Sequence, residues 1–367
     1  MFFSQGVDLS SPNTINVPRV LNLTRPVESL SIALSFRVVT SAAIVALSPE
    51  APQSLLQLIQ VQGIHRKFGA LTPIMLSGPT AFAWPRLFQS IGNDLLIDGT
   101  RAPDPGRPFV SPFPAAAGSH DVFIAYNIPV TPLMGIGQSI KRQAPFYFWH
   151  PQDWSDSIQI QLNFGDKSAF GDTTGSTFTF TSFGSATGLP QVQIHANYGL
   201  LGQLQNVVSQ QSGVVIRNEQ MFSNFTASAQ NQRITTLQKQ ITTGLVLKTG
   251  TLQTVAQTAG VRSFASLSDL QFDVTQVVVD NKPVRNNQSN LVTKDFYGRA
   301  LNTVHPQGYL LQTFVDGQNA LLSYRGDGLP AGSTFELISN VQTSGAAQRQ
   351  TLTQEMIFGG PFPALRP

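Results

Sequence analysis

Five histidines are the first side chains to consider for metal binding or acid-base chemistry. No two of them have the HxH or HExxH spacing that brings two imidazoles to one metal ion. Ser119-His120-Asp121 contains the residue types of a catalytic triad, but three contiguous side chains cannot converge as one. The sequence therefore predicts lone surface or core histidines. They are His65, His120, His150, His195 and His305.

Nucleophile and phosphate-binding motifs are also incomplete. No GxSxG elbow occurs in the chain. Gly135-Ile136-Gly137 with Lys141 superficially resembles a phosphate loop, but the spacing is not GxxxxGK[ST] and Pro132 precedes it. The chain has no cysteine, which excludes disulfides, thiolate nucleophiles and cysteine metal sites. We therefore expect no enzyme activity, no cofactor and no catalytic or metal-binding residue.

Two kinds of loop motif could bind a partner. Phe164-Gly165-Asp166 and Phe170-Gly171-Asp172 could help to hold Ca²⁺, although twin turns at strand ends explain the repeat more simply. Arg325-Gly326-Asp327 could be an integrin-type attachment tripeptide, but a turn after a hairpin favours the same residues. The turn is the preferred interpretation of each motif.

A cluster of aromatic residues could form a sugar-binding platform. Core packing at the entry to a strand that begins at Ile158 is the expected role of most of its rings. Asp153 and Asp156 are the nearest candidates for the two facing carboxylates of a glycosidase, but no further pattern supports them. The aromatic residues are Phe146, Tyr147, Phe148, Trp149 and Trp154.

Length and composition limit the class of protein. At 367 residues the chain exceeds the size at which one core keeps growing, so two domains are expected. Charged residues are only 12% of the chain, against about 25% in a typical protein. The surface must then be rich in Gln, Ser, Thr and Asn, which suits a subunit packed against its own copies, although an ordinary secreted β-protein remains the alternative. A net charge of +3 is too small to indicate a nucleic-acid partner.

Targeting and membrane signals are weak in this sequence. No segment reaches the roughly 18 apolar residues of a membrane-spanning helix, and the N-terminus lacks the pattern of a signal peptide. Export by that route is not expected, so the glycosylation sequons at Asn22, Asn224 and Asn287 carry little weight.

The elements that position these residues are predicted to be β-strands. In Leu30 to Val39 apolar and polar residues alternate strictly, which is typical of a half-buried strand. Ser48 to Gly63 is either a buried strand or a short helix. Strands at short intervals separated by turn signals predict all-β sandwiches. Further strands are predicted at Ile158 to Phe164, Thr177 to Thr181, Gln191 to Tyr198, Leu245 to Leu252, Leu270 to Val279, a hairpin Tyr309 to Tyr324 around Asp316-Gly317, Phe335 to Val341 and Gln354 to Phe358.

Composition changes along the chain suggest its domain boundaries. Residues 1–20 are predicted to be an N-terminal arm, and 21–205 a first sandwich with a Pro/Gly-rich loop excursion at 69–145. A Gln/Ser/Asn-rich linker is expected at 206–232. A second sandwich over 233–358 and a tail at 359–367 complete the chain.

This organisation resembles the double jelly-roll major capsid proteins of tailless icosahedral viruses with an internal membrane. These include tectivirus-like and corticovirus-like phages and, more distantly, adenovirus-like hexons. The similarity is one of pattern and order over most of the chain. It is carried by NLTRPVESLSIALSFRVV, SPEAPQSLLQLIQVQG, IQIQLNFGD and VQIHANY in the first half, and by TTGLVLKTGTLQTV and SFASLSDLQFDVTQVVVDN in the second.

The resemblance implies an all-β fold of two tandem eight-stranded jelly rolls with long loops and few short helices. It also implies a homotrimer with six jelly rolls around a pseudo-sixfold axis, which tiles the icosahedral shell of a virion after assembly in the host cytoplasm. Its partners would be neighbouring trimers, penton or minor capsid proteins and an underlying membrane. The 69–145 excursion would lie at the outer end or at the trimer interface, and the arm and tail near the inner face.

Direct binding of nucleic acid is not expected. Capsid proteins that condense a genome carry Lys/Arg-rich arms to balance the phosphates, whereas Arg19 is the only basic residue among the first twenty. A rival from another class is a receptor- or carbohydrate-binding β-sandwich of a spike or fibre, which would expose aromatic side chains around Trp149 and Trp154. The glycosidase remains a third alternative.

Overall fold

The described part of the chain is built almost entirely of β-strands. A computed structural model describes residues 2–21, 26–43, 47–48, 50–87, 94–102, 113–130, 149–155, 158–171, 177–198, 214–225, 228–235, 241–254, 262–266, 270–279, 281–301, 308–313, 335–342 and 347–358. Two α-helices occur within these ranges, and neither is long and apolar enough to cross a membrane.

The first half contains eleven strands and one α-helix within the described ranges. Short 3-10 helices lie at Gln53–Leu55, Pro151–Asp153 and Lys167–Ala169. Helix α1 spans Gly78–Leu87. The strands are β1 Phe2–Gly6, β2 Asn13–Leu21, β3 Val27–Thr40, β4 Leu56–His65, β5 Gly69–Leu76, β6 Asp94–Ile97, β7 Thr100–Arg101, β8 Gly118–Pro129, β9 Ile158–Phe164, β10 Phe178–Thr181 and β11 Gln191–Tyr198.

Two sheets of the first half enclose a hydrophobic core. One sheet has the order β1-β11-β3-β8, extended by β6 and β7, with β10 pairing β3, and the other contains β2-β9-β4-β5. If the eight principal strands are lettered B to I in chain order, these sheets read B-I-D-G and C-H-E-F. That order defines a jelly roll.

Alternating side chains build this core as the sequence predicts. Leu30, Ile32 and Leu34 of β3 are fully buried, while the intervening residues lie on the outer face at intermediate exposure. Ile160 and Leu162 of β9 face them from the opposite sheet and belong to the same cluster. Every second residue of these strands is buried, and this fixes the pairing register. A shift of one residue would move the whole apolar set to the exposed face.

The second half repeats the jelly-roll order. Strands β12-β20-β14 form one sheet, in which β14 also pairs with β15 and β18, and β13-β19-β16-β17 form the other. With β18 as strand G, the order is again B-I-D-G and C-H-E-F. Helix α2 spans Asn290–Leu301. The strands are β12 Val214–Phe225, β13 Ala229–Thr235, β14 Ile241–Thr254, β15 Arg262–Ser266, β16 Phe272–Val279, β17 Lys282–Gln288, β18 Tyr309–Thr313, β19 Phe335–Val341 and β20 Ala347–Phe358.

The predicted fold class, two tandem eight-stranded jelly rolls with few short helices, is confirmed. The segment Ser48 to Gly63 contributes strand β4 after a short 3-10 turn, which resolves the choice between strand and helix. Of the predicted hairpin around Asp316-Gly317, only β18 lies within the described residues, and the tail at 359–367 lies outside them.

The prediction of a loop excursion over 69–145 is wrong for its described parts. Strands β5, β6 and β8 and helix α1 lie there, and β8 pairs with β3 along twelve residues, from Ser29↔Pro129 to Thr40↔Gly118. Gly69, Gly78 and Gly118 begin β5, α1 and β8, while Pro73 and Pro85 lie inside β5 and α1. Asp98 and Gly99, with φ of 51° and 76°, form the tight turn from β6 to β7, and such Asp-Gly pairs favour a hairpin.

Residues predicted as an arm and a linker are also strands. β1 pairs with β11 and β2 pairs with β9, so residues 2–6 and 13–21 belong to the two sheets rather than to a separate arm. Strand β12 lies inside the predicted linker 206–232. β1 and β12 lack the long apolar alternation of β3, and β2 shows it only at Ile15 and Val17. The division into two domains near this position remains a prediction.

Candidate functional site at the seam between the two halves

The two jelly rolls share one continuous sheet. Strand β12 of the second half lies parallel to β5 of the first, with Asn218 opposite Ile74 and Glu219 opposite Met75. The resulting nine-stranded sheet has the order β15-β14-β20-β12-β5-β4-β9-β2, with β18 also pairing β14. Main-chain hydrogen bonds therefore fix the position of one jelly roll relative to the other at this seam, where strand F of the first meets strand B of the second.

The two faces of the seam point into different environments. Ile74 is buried in the first core, so its partner Asn218 lies on that side of the sheet. On the opposite side, the guanidinium of Arg349 on β20 donates to the Ser339 hydroxyl on β19. That side faces the second jelly roll. Residues 349–355 of β20 are buried on both faces, which is unusual for a strand rich in polar residues. In β12, Asn218 and Gln220 are buried, whereas Arg217 and Glu219 on the other face are at intermediate exposure.

Amide side chains form a hydrogen-bonded ladder on the face toward the first half. We call Asn218, Gln220, Gln350 and Gln354 the amide ladder. Gln354 Nε2 donates to Asn218 Oδ1 at 3.1 Å, and Gln220 Nε2 donates to Gln350 Oε1 at 3.0 Å. Asn218 is 0% and Gln220 2% exposed. Buried amides stabilise a structure only when such partners are present, because an unpaired one keeps its full desolvation cost.

Gln220 also ties the ladder to the first half. Its Oε1 accepts a hydrogen bond of 2.8 Å from the backbone N–H of Ser77, the residue between β5 and α1. The Ser77 carbonyl accepts from Ala81 N–H at 2.8 Å, so Ser77 begins α1. Gly78 is required beside it, since a Cβ there would lie 2.3 Å from the Leu56 carbonyl oxygen. The start of α1 is thus held against both halves.

Charged side chains occupy the face toward the second half. Arg217 donates to Glu355 Oε2 at 2.6 Å and lies 3.1 Å from Glu219 Oε2. Burial lowers the pKa of Arg349 to about 10, which still leaves it protonated at neutral pH. Buried ion pairs contribute little net stability but are costly to break, so they favour one register of β12 against β20.

The histidines lie apart from the seam. His65 is buried between Phe68, stacked at 4.4 Å between ring centroids, and Trp154 at 5.3 Å. Its Nδ1 accepts from Lys67 N–H at 3.1 Å. Burial lowers the pKa of His65. His150 is buried, His195 lies on the outer face of β11, and His305 is outside the described residues.

Ser119-His120-Asp121 does not form a triad. His120 Nδ1 lies 2.7 Å from Asp98 Oδ2, whereas Asp121 accepts two hydrogen bonds, of 2.8 and 2.7 Å, from Arg37 on β3. The hydrogen bond from Arg37 lowers the pKa of Asp121. The two side chains therefore have different partners, and Ser119 is exposed at the strand end.

Of the predicted calcium and phosphate motifs, the structure describes Phe164-Gly165-Asp166 and Phe170-Gly171. Asp166 Oδ1 accepts from Ser168 N–H at 2.9 Å and caps the 3-10 helix that follows. Asp172, the Gly135 loop and Arg325-Gly326-Asp327 lie outside the described residues. Among the described residues, no group of three histidines or carboxylates is placed to hold a metal ion.

The two described aromatic residues of the predicted platform belong to the core. Trp149 and Trp154 are 1% and 3% exposed and pack edge to face at 5.7 Å. Asp153 is buried beside them. Phe146, Tyr147, Phe148 and Asp156 lie outside the described residues. Core packing of the two tryptophans is therefore confirmed.

Sequence reasoning missed the seam itself. Residues 206–232 are rich in Gln, Ser and Asn, which is why a linker is predicted there. The available signal is that amide residues lie on one face of two distant segments. They are Asn218 and Gln220 in one, and Gln350 and Gln354, separated on that face by Leu352, in the other. Amides on one face of each of two segments are compatible with paired strands.

Comparison with known proteins identifies the fold. No protein-family model matches the chain, and no curated protein matches it. Among solved structures it is similar to the STIV MCP crystal structure, with a TM-score of 0.53 and 11% identity over 98% of this chain and 97% of that chain. It is also similar to the atomic structure of Sulfolobus Turreted Icosahedral Virus, with a TM-score of 0.53 and 13% identity over 97% of this chain and 91% of that chain.

The chain has the double jelly-roll fold. The likeness extends over both jelly rolls, because nearly the whole of each chain is covered. At these identities the similarity concerns the fold alone. Bacteriophage PM2's major capsid protein P2 matches with a lower TM-score of 0.49 and 8% identity over 97% of each chain.

Proposed function

We propose that this chain is a structural major capsid protein whose homotrimers tile an icosahedral virus shell. The observation that supports this function best is the continuous sheet through β5 and β12. A shell subunit must keep its shape while it contacts many neighbours. Two jelly rolls joined by main-chain hydrogen bonds and a buried amide ladder form such a rigid block.

The geometry of the repeat supports the proposed trimer. Each chain supplies two jelly rolls of the same strand order, placed side by side with the C-H-E-F sheet of one joined to the B-I-D-G sheet of the other. Three copies would then supply six similar units around one axis. A pseudo-hexagonal unit of this kind packs into a continuous lattice.

The partners proposed for this subunit are neighbouring trimers, penton or minor capsid proteins and an underlying membrane. Its proposed location is the virion, after assembly in the cytoplasm of the host. We propose no direct contact with the genome, because residues 2–6 and 13–21 are strands and Arg19 is the one basic residue in the first twenty. No catalytic role is proposed.

Light scattering coupled to size exclusion, followed by electron microscopy, tests the function. We expect a mass of three chains of 39.7 kDa each and, at high concentration, closed shells or hexagonal sheets. A monomer that forms no shell would contradict the proposal. Images of whole particles would also show lipid or another layer between the shell and the genome.

The carbohydrate-binding alternative loses its main support in the structure. Trp149 and Trp154 would have to present their rings to solvent, and both are core residues. A glycan-binding panel distinguishes the two functions, because a spike protein would bind cells or sugars as an isolated protein.

A further inference from the structure

The junction between strand F and the following helix is repeated in the two halves. In the first half, β5 leads through Ser77 into α1, and the Ser77 carbonyl accepts from Ala81 N–H. In the second half, β17 leads through Ser289 into α2, and the Ser289 carbonyl accepts from Thr293 N–H at 3.0 Å. The two junctions are therefore equivalent in the jelly-roll order and in their local hydrogen bonds.

In the part of the chain that the structure describes, the first of these junctions pairs with a strand of the other jelly roll and the second does not. Strand β5 pairs with β12, a strand B, and Ser77 N–H donates to Gln220 on it. Among the described residues, β17 pairs with β16 alone and ends its sheet, and β1, the other strand B, pairs with β11 alone. Exposed edge strands present unpaired main-chain groups to another chain.

We propose that β17 and the start of α2 in one copy dock on β1 and the outer face of β11 in the next copy. This interface would reproduce between chains the contact that β5 and α1 make with β12 within the chain. The proposal rests on the proposed function, because it assumes that copies assemble into a ring.

Burial differs between the two equivalent outer faces. On β20, the second strand I, the outer residues Gln350, Leu352 and Gln354 are buried. On β11, the first strand I, the outer residues Gln191 and Gln193 are at intermediate exposure. The outer face of strand I carries amide side chains in both halves. It is buried on β20 and more exposed on β11. A neighbouring copy would cover it.

Helix α2 carries the apolar surface that such a contact requires. Leu291 and Val292 in its first turn are 50% and 65% exposed, while Asn290 and Thr293 beside them are buried. In α1 the residues of the first turns are buried. Adjacent exposed Leu and Val at the start of a helix, next to an open strand edge, mark a contact surface.

The contact joins two different surfaces, so it is heterologous. Heterologous contacts generate a ring when the rotation closes and a filament when it does not. Because each chain contributes two jelly rolls, closure after three copies would give the six units of the proposed trimer. An isologous dimer would instead pair β1 of one copy with β1 of the other. The contact within the chain joins a strand F to a strand B, so it does not support such a pairing.

Engineered cysteines test this interface directly, since the native chain has none. Ile74 and Asn286 each lie three residues before the junction serine, so Asn286 is the expected contact position on β17. The variant Ser4→Cys plus Asn286→Cys, treated with a short bismaleimide, should give a covalent trimer on a denaturing gel. Neighbouring strands lie about 4.8 Å apart, within reach of this reagent even after a shift of one residue.

A matched pair controls for random collision. Thr100→Cys on β7, the opposite edge of the same sheet, combined with Asn286→Cys should remain monomeric on the same gel. An oligomer in solution whose Ser4 and Asn286 cysteines do not link overturns this interface and leaves the shell function standing. A monomer at every concentration overturns both proposals.

A second variant tests the apolar part of the interface without a cross-link. Leu291→Asp combined with Val292→Asp should dissociate the trimer into folded monomers and raise its dissociation constant by at least a hundredfold. Ile64→Asp, at a 48% exposed apolar residue on β4 of the other sheet, should leave the trimer intact. Unchanged mass of the helix variant would overturn the role of α2.

Discussion

Gln220 is the residue on which the seam depends most at the scale of single side chains. Its amide accepts from Ser77 N–H and donates to Gln350, and all three groups are at the boundary between the halves. Gln220→Ala would leave the partly buried backbone donor of Ser77 and the buried amide oxygen of Gln350 without these partners. We expect a loss of about 1–3 kcal/mol in the free energy of unfolding, measured by urea denaturation.

Gln159→Ala provides the control for this substitution. Gln159 is an exposed glutamine on β9, so its removal should change stability by less than about 0.5 kcal/mol. Equal effects of the two substitutions would show that the amide ladder contributes nothing beyond an ordinary surface glutamine.

His65 should make stability depend on pH in the mildly acidic range. Burial lowers its folded-state pKa below the ordinary value of 6.5, so the unfolded chain binds a proton first as the pH falls. Stability is therefore complete above pH 6.5 and is lost as the pH falls toward the folded-state pKa, by at most about 1.4 kcal/mol per pH unit. His65→Phe keeps a ring against Phe68 and Trp154 and should remove this part of the dependence. Parallel stability curves for both proteins between pH 5 and about 7.5 would contradict this role of His65.

Strand β3 is the element that organises the first jelly roll. Phe36 is 0% exposed and packs edge to face with Phe180 at 5.7 Å, whereas Val39 on the other face is 37% exposed. Phe36→Ala should cost about 3–5 kcal/mol because it leaves a cavity in the core. Val39→Ala should cost less than about 1 kcal/mol. Similar losses in thermal or urea unfolding would mean that β3 does not carry the core.

Strands with one apolar face could be predicted from the sequence, and strands with a polar buried face could not. β9 and β11 begin and end where the alternation predicts. β12 was missed because Asn218 and Gln220 occupy buried positions that are usually apolar. Their buried amides are paired with Gln350 and Gln354, which lie 130 and 136 residues away, and the local sequence does not identify those partners.

The N-terminal strands and the 69–145 segment were also hard to predict from local sequence. Residues of β1 and β2 have no strong period of their own and are held by pairing with β11 and β9. Loop-like composition in 69–145 concealed β8 because Pro and Gly surround it. Without a complete catalytic motif, the sequence does not indicate where a functional site lies. The seam between β5 and β12 is visible only in the structure.

At the scale of the whole molecule, the central claim is that two jelly rolls, locked side by side through β5 and β12, act as one block of a ring of six. Averaged electron microscopy images of the purified oligomer, viewed down its axis, measure this most directly. The account predicts a particle with threefold symmetry and six similar densities of jelly-roll size around a common centre. A particle of two copies, an open filament, or two jelly rolls that vary in relative orientation from image to image would contradict it.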